Sequence, residues 1–183
     1  MLDSIRGRLL TDLASCYMIE GDIREATSQY LTALDATSKS GDSEAYLTNC
    51  SSLGVAYRRI NLPDSALYYY GKGLEAAMKS KDYSAVSNLH ANIAVMYISF
   101  KQLENAKEHA QEAITYALKE EDALDWLQAY YICGSLLVKT GEYDQAINYL
   151  HKAYGIASQQ QSPRFRLKVL SALLPAFQAT AQD

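Results

Sequence analysis

A chain of 183 residues with 49% hydrophobic and 21% charged residues has the composition of a globular protein that buries a core. Its net charge of −4 and pI near 5.4 argue against a nucleic-acid-binding surface, which is usually basic. No apolar run approaches the roughly 18 residues of a membrane span, and the first residues lack the basic-then-apolar order of a signal peptide. We therefore expect a cytoplasmic protein, with the periplasmic part of a membrane-anchored sensor as the alternative.

Apolar residues recur at helical spacing along the whole chain and predict nine α-helices. The predicted helices cover residues 3–19, 23–39, 43–60, 63–79, 83–100, 103–119, 123–140, 143–159 and 164–180. No linker or low-complexity stretch interrupts them. The sequence thus predicts one all-α domain over residues 1–183.

Small and aromatic residues recur with a period of forty residues. The first column reads Ala14, Gly54, Ala94, Gly134, and three residues later come Tyr17, Tyr57, Tyr97, Leu137. Three further columns read Ala26, Ala66, Ala106, Ala146, then Tyr30, Tyr70, Ala110, Leu150, then Ala33, Gly73, Ala113, Ala153. Paired helices approach closely where side chains are small, and large aromatics fill the gaps beside them. The pattern predicts repeats of two helices, A and B.

The predicted helix ends carry matching residues in successive repeats. Asp42, Asp82 and Asp122 precede A helices, where an aspartate caps free amide groups. Between A and B helices stand Gly21, Asn61 and Gly141, which tolerate the left-handed backbone that ends a helix. Pro63 falls in the first turn of its B helix, where a missing amide is harmless.

The ninth helix departs from the pattern, with Leu174 in the first column and Pro175 inside the helix. An interior proline is expected to kink or break a helix. Four large apolar residues are expected to be partly uncovered: Leu170, Leu173, Leu174 and Phe177. A terminal capping helix and a fragment of a longer array both explain this arrangement, and the lack of a polar outer face favours the fragment.

The residues that usually carry chemistry do not cluster. Cys16, Cys50 and Cys133 are odd in number and widely spaced, so we expect buried free thiols in a reducing compartment. The three histidines (His90, His109 and His151) occupy unrelated repeat positions and predict neither a metal site nor a catalytic histidine. No phosphate-binding loop, nucleophile elbow or HExxH motif is present. We therefore expect no cofactor, no metal and no enzymatic activity.

These columns resemble the tetratricopeptide repeat, which places small residues and aromatics at fixed positions of two paired helices. The resemblance covers repeats at about 7–40, 47–80, 87–120 and 127–160, followed by a further A-type helix at 164–180. A forty-residue period also suits HEAT or armadillo repeats. The Gly/Ala-x-x-Tyr and Ala-x-x-x-Tyr pairs favour the tetratricopeptide reading.

The resemblance implies a right-handed α-solenoid of antiparallel helix pairs whose concave face, lined by A helices, binds a partner segment. The family's groove positions fall on Arg8, Ser15, Met18, Ser51, Val55, Arg58, Arg59, Asn88, Asn92, Val95, Gln128, Tyr131, Ser135 and Lys139. Thr11 and Ser15 replace the Lys and Asn with which chaperone adaptors clamp a carboxylate. Of the asparagine ladder in many forty-residue members, only Asn92 remains. The implied ligand is an amphipathic or acidic-hydrophobic segment.

Two features of this implied groove allow alternative interpretations. Arg58 and Arg59 suit a carboxylate or phosphate, but cations are also favoured at a helix C-terminus for electrostatic reasons. Tyr131 suits an anchor for a partner, but the chain contains 15 tyrosines, many of them at packing positions.

The resulting functional hypothesis is a scaffold that binds a protein or peptide segment, from another protein or from the same polypeptide. It predicts no contact with nucleic acid and no membrane span. One alternative is the repeat segment of a bacterial sensor or transcriptional regulator that receives a signalling peptide or an intramolecular segment. Another is a self-assembly module that forms a homodimer through Leu170, Leu173, Leu174 and Phe177.

Overall fold

The computed structural model describes residues 2–120 and 122–181, and within these ranges the chain forms nine α-helices and no strand. The helices are α1 (Leu2–Glu20), α2 (Ile23–Ser40), α3 (Ser43–Arg59), α4 (Pro63–Ser80), α5 (Tyr83–Ser99), α6 (Leu103–Ala117), α7 (Ala123–Thr140), α8 (Tyr143–Gln159) and α9 (Pro163–Thr180). Every bound lies within two residues of its predicted place. The predicted all-α helical-repeat class is confirmed.

The chain divides into two compact units, unit 1 (Met1–Ala85) and unit 2 (Val86–Asp183), with the boundary in the first turn of α5. In unit 1 each helix from α1 to α4 packs on the next, and α1 also contacts α3. In unit 2 each helix from α6 to α9 packs on the next, and α7 also contacts α9. Within each unit, A helices therefore contact both their B partners and the neighbouring A helix.

The small-residue columns mark the places where an A helix crosses the B helix of its own repeat. A Cβ atom added to Gly54 would lie 2.2 Å from the ring of Tyr70, which is 0% exposed. A Cβ atom on Gly134 would lie 2.6 Å from Cγ of Leu150. Ala14, Ala66 and Ala146 are likewise fully buried. The repeat pattern thus records the closest approaches between paired helices.

The turns between helices contain the predicted capping residues and left-handed residues. Asp42 accepts a hydrogen bond from the Ala45 amide, and Asp82 and Asp122 cap α5 and α7 in the same way. Gly21, Asn61 and Gly141 have the predicted positive φ. Three residues that do not favour this conformation also adopt it in turns: Lys81, Lys101 and Gln161. Packing of the helices imposes the left-handed turn where the residue type does not supply it.

Two predictions for α9 are wrong. The helix runs unbroken through Pro175, because Pro175 and Ser171 are both exposed and water can reach the Ser171 carbonyl that loses its amide donor. Leu173 is not uncovered but 4% exposed, because it packs with Leu127, Leu150 and Val169 in a buried cluster. Leu170, Leu174 and Phe177 are exposed as expected, at 48%, 60% and 46%.

The prediction that all three cysteines are buried is wrong for Cys16. Cys50 and Cys133 are buried, whereas Cys16 is exposed, and all three thiols are free. In the same column Ala56 and Leu136 are 0% exposed. Ala56 lies on α3, which packs between α2 and α4, whereas no described helix covers the side of α1 that carries Cys16.

His90 of α5 and His109 of α6 form a pair that their sequence positions did not predict. Their Nδ1 atoms lie 2.9 Å apart, and Tyr116 and Tyr97 stack on the two rings. Burial, with a smaller contribution from His109, lowers the pKa of His90 to about 4. Burial also lowers the pKa of His109, although Glu108 and Glu112 oppose that change. Both rings are therefore neutral at pH 7, so that one donates and the other accepts.

The crossing at Gly54 predicts opposite effects for one substitution at two glycines. Gly54→Ala should lower the free energy of unfolding by about 1–3 kcal/mol, because the new methyl group overlaps the buried ring of Tyr70. Gly71→Ala on exposed α4 surface should raise it by about 0.5–1 kcal/mol, because nothing lies within 4 Å and alanine favours a helix. Urea denaturation followed by circular dichroism measures both. Equal effects of the two variants would contradict the proposed role of Gly54.

The histidine pair predicts that stability falls as the pH decreases from about 6.5 to about 4. The folded-state pKa of His90 lies below its ordinary value, so the unfolded chain binds more protons in this window and acid favours unfolding. Thermal denaturation across this range should show a falling Tm. His90→Asn removes the titrating ring and should flatten the dependence, whereas His151→Asn, at an exposed histidine, should not. An unchanged slope in the His90 variant would refute the assignment.

Candidate functional site

The predicted partner-binding residues lie on the odd-numbered helices, and we call their common surface in each unit the A-helix face. In unit 1 this face comprises Arg8, Ser15 and Met18 of α1 with Ser51, Val55, Arg58 and Arg59 of α3. In unit 2 it comprises Asn88, Asn92 and Val95 of α5 with Gln128, Tyr131, Ser135 and Lys139 of α7. All fourteen are half-buried or exposed, as a binding surface requires.

Arg8 braces α1 against the start of α3. Its Nε donates to Oδ2 of Asp42 at 2.9 Å, and the Ser4 hydroxyl donates to the same oxygen at 2.7 Å. Hydrogen bonds from Arg8, Ser4 and the Ala45 amide lower the pKa of Asp42 to about 2. A shallow cleft of about 220 Å³ beside Arg8 is also lined by Asp12 and Glu44. Carboxylates thus balance the positive charge of Arg8, so this cleft does not favour an anion.

Arg59 is engaged in a second contact between α1 and α3. Its Nη1 donates to the carbonyl oxygen of Met18 at 3.1 Å. Met18 lies in the last turn of α1, where carbonyl groups lack helical amide donors. Arg59 therefore donates a hydrogen bond to a free carbonyl group at the C-terminal end of α1, where a positive charge is electrostatically favourable.

Arg58 lies beside the buried hydroxyl of Tyr70. Burial raises the pKa of Tyr70 to about 12, with Arg58 opposing the change. In repeat one the equivalent Tyr30 hydroxyl lies 3.0 Å from Oγ of Ser15. Val55 replaces that serine in repeat two, and the Tyr70 hydroxyl has no hydrogen-bond partner among the described residues. The positive charge of Arg58 therefore affects the buried Tyr70 hydroxyl as well as the protein surface.

In unit 2, Asn88 connects α5 to α7. Its Nδ2 donates to Oδ1 of Asp125 at 2.9 Å, and Asp125 is only 7% exposed. This contact resembles the bond between Thr11 and Asn49 in unit 1, where Oγ1 donates to Oδ1 at 3.0 Å. Polar residues on the A-helix face thus bind the adjacent A helix, which stabilises the stacking of repeats.

Tyr131, Ser135 and Lys139 meet in an open cleft of about 280 Å³ between α7 and α9. The cleft is lined by Tyr131, Ser135, Val138 and Lys139 from α7 and by Lys168, Ser171, Ala172 and Pro175 from α9. The α9 residues were not predicted. Extending the forty-residue columns would have found three of them, since Gln128, Tyr131 and Ser135 correspond to Lys168, Ser171 and Pro175. We call this site the α7–α9 cleft.

The α7–α9 cleft is positively charged. No carboxylate within the described ranges lies within ion-pair distance of Lys139 or Lys168. The sequence from residue 145 to residue 181 contains no Asp or Glu, although it carries Lys152, Arg164, Arg166 and Lys168. This basic run lies in a chain whose net charge is −4.

Among residues 2–120 and 122–181, no three His, Cys, Asp or Glu side chains come together in a way that could hold a metal ion. In the same part of the chain, no helix combines the length and apolar character that membrane crossing requires. The clefts beside Arg8 and between α7 and α9 are shallow and open.

The sequence and the structure were compared with known proteins. The chain matches family models of the tetratricopeptide repeat over residues 6–79, 87–120 and 127–160. No protein with a curated description matches it significantly. Aspartyl phosphate phosphatase F from Bacillus subtilis is structurally similar, with a TM-score of 0.85 and 15% identity over 92% of this chain and 44% of that chain.

Two further solved structures share the fold. A Rap protein complexed with competence and sporulation factor has a TM-score of 0.82 and 14% identity over 98% of this chain and 53% of that one. BtubC (BKLC) from P. vanneervenii has a TM-score of 0.73 and 20% identity over 85% of this chain and 65% of that one. The chain spans less than two thirds of each of these three neighbours, and such identities show a shared fold alone.

The family matches cover all four repeats that the small and aromatic columns predict. Close helix crossings occur in those columns, at Gly54 and Gly134, and the left-handed turns recur with the same period. Sequence pattern, helix packing and structural similarity thus agree, and the chain belongs to the tetratricopeptide repeat family.

Proposed function

We propose that this chain is a non-enzymatic scaffold, one continuous array of repeats, that holds an extended segment of a partner protein or peptide on its A-helix face. Tetratricopeptide repeats are protein-interaction scaffolds in general, which supports the proposal. The single observation that carries it is the α7–α9 cleft, where Tyr131 and Ser135 lie beside Lys139 and Lys168, two cations without a carboxylate partner among the described residues. Most polar residues of unit 1 on this face already have intramolecular partners.

A related function is reception of a signalling peptide, or of a segment of the same polypeptide, by a sensor or regulator. The similarity to a Rap protein complexed with competence and sporulation factor supports this alternative only through the shared fold. Both versions place the ligand on the same face. They differ in the source of the segment.

Self-assembly is a second candidate, because α9 exposes an apolar stripe. Leu167, Leu170, Leu174 and Phe177 are between 46% and 67% exposed and share one side of the helix. Leu173, which the sequence placed in this surface, is buried and cannot contribute. A second copy of the chain is the partner that this candidate requires.

The position of Tyr131 in the α7–α9 cleft predicts the outcome of a peptide-selection experiment. Peptides selected from a random display library against the folded chain should lose about tenfold in affinity for Tyr131→Ala, because aromatic side chains in clefts supply much of the binding energy. Tyr68→Ala, which removes an exposed tyrosine from the B helix α4, should leave affinity unchanged. Fluorescence anisotropy measures binding, and circular dichroism confirms that both variants are folded.

Arg59 is kept intact in these variants, because its bond to Met18 contributes to the packing of α1 on α3. Loss of binding in Tyr68→Ala with full binding in Tyr131→Ala would assign the ligand to another surface and would contradict the proposal.

The α9 stripe makes a separate prediction about mass in solution. Light scattering of the intact chain should show a concentration-dependent dimer, because buried leucines stabilise association by about 1.5–3 kcal/mol each. Leu170→Glu with Leu174→Glu should give a monomer, whereas Leu118→Glu, at a leucine that is 57% exposed on another surface, should not. A monomer at every concentration would eliminate the self-assembly candidate.

A further inference from the structure

We propose that the α7–α9 cleft selects an extended acidic peptide segment, whose carboxylates pair with Lys139 and Lys168 while its backbone bonds to α9. This inference rests on the proposed scaffold function and specifies its ligand. The partner is defined by chemistry: Asp or Glu side chains on a segment without regular secondary structure. Other ligands, such as a neutral apolar peptide, are outcomes that the test distinguishes.

The charge balance of the cleft is the first argument. Three basic side chains in the described structure form ion pairs: Arg8 with Asp42, Lys39 with Asp35, and Lys107 with Glu142. Lys139 and Lys168 face the same cleft from two helices and have no such partner in residues 2–120 and 122–181. A carboxylate supplied by a ligand would complete these interactions.

The neighbourhood of the cleft contains little that would compete with that ligand. The helix α9 has no acidic residue, and Arg164 precedes Lys168 by four residues, so both lie on the same side of the helix. Arg164 is exposed. The nearest acidic residue in sequence before this run is Asp144. An approaching acidic segment therefore meets basic side chains and no carboxylate on α9.

Pro175 provides the second argument, because it frees a backbone acceptor in the cleft lining. In a regular helix the carbonyl of Ser171 would accept a hydrogen bond from the amide of residue 175, and proline has no amide hydrogen. Ser171 and Pro175 both line the cleft and are exposed. The Ser171 carbonyl thus offers an acceptor to the backbone N–H of an extended segment, which a helical ligand could not provide.

Ser135 on the opposite wall adds a polar group without a partner. The equivalent Ser15 bonds to Tyr30, but in repeat four Leu150 occupies the place of that tyrosine. The Oγ of Ser135 is buried and has no hydrogen-bond partner among the described residues. Lysines, a free carbonyl and an unsatisfied hydroxyl together favour a ligand that is both charged and rich in backbone polar groups.

Binding of a designed peptide pair tests the inference. A fluorescein-labelled peptide of three Ala-Glu-Leu-Glu repeats should bind at least about tenfold more tightly than its Ala-Gln-Leu-Gln counterpart at low salt, and the difference should shrink as salt screens the charges. Lys139→Glu with Lys168→Glu should abolish the preference. Arg24→Glu with Lys79→Glu changes the net charge equally at exposed sites away from the cleft and should preserve it.

Equal affinity for the two peptides would overturn the inference, as would an equal loss of preference in both double variants. If the acidic peptide fails to bind while library-selected peptides still bind through Tyr131, only the acidic specificity is refuted. If neither kind of peptide binds to the folded chain, the scaffold proposal fails as well. Circular dichroism of each variant establishes that it is folded.

Discussion

The structure depends on the close crossing of each A helix with its B partner. At Gly54 the backbone of α3 comes so near to the Tyr70 ring that no side chain fits between them. This contact fixes the rotation of both helices about their axes, and rotation decides which residues face the core. The crossing therefore determines which residues of each helix lie on the surface between successive crossings.

Polar residues of the A-helix face hold neighbouring A helices together. Arg8, Arg59 and Asn88 lie at predicted partner-binding positions, yet each hydrogen-bonds to the adjacent A helix or its preceding turn. The polar groups of these three residues are already engaged in hydrogen bonds between repeats. A ligand would have to break those hydrogen bonds to bind the same groups. Lys139 and Lys168 have no such role. The cations that remain without a carboxylate partner on this face therefore lie at its α7–α9 end.

The sequence predicted what depends on local periodicity and failed where the outcome depends on a neighbour. Helix bounds, caps and crossings follow from Asp42, Gly54 and similar residues, because each acts within one repeat. The burial of Leu173 and the exposure of Cys16 depend on whether another helix covers that face. The His90–His109 pair joins two positions nineteen residues apart that no motif connects. The α9 lining of the cleft is predictable from the forty-residue columns, since Ser171 and Pro175 stand forty residues after Tyr131 and Ser135.

The uneven distribution of charge within unit 2 also bears on how a ligand arrives. Glu104, Glu108 and Glu112 lie on α6, whereas α9 carries only basic residues. Unit 2 therefore has an electric dipole, and a negatively charged chain in solution is turned by this field before it touches the surface. Such pre-orientation raises the rate of productive encounters and makes that rate depend on ionic strength. For the acidic segment proposed as a ligand, the order of charges along the polypeptide would set the direction of approach.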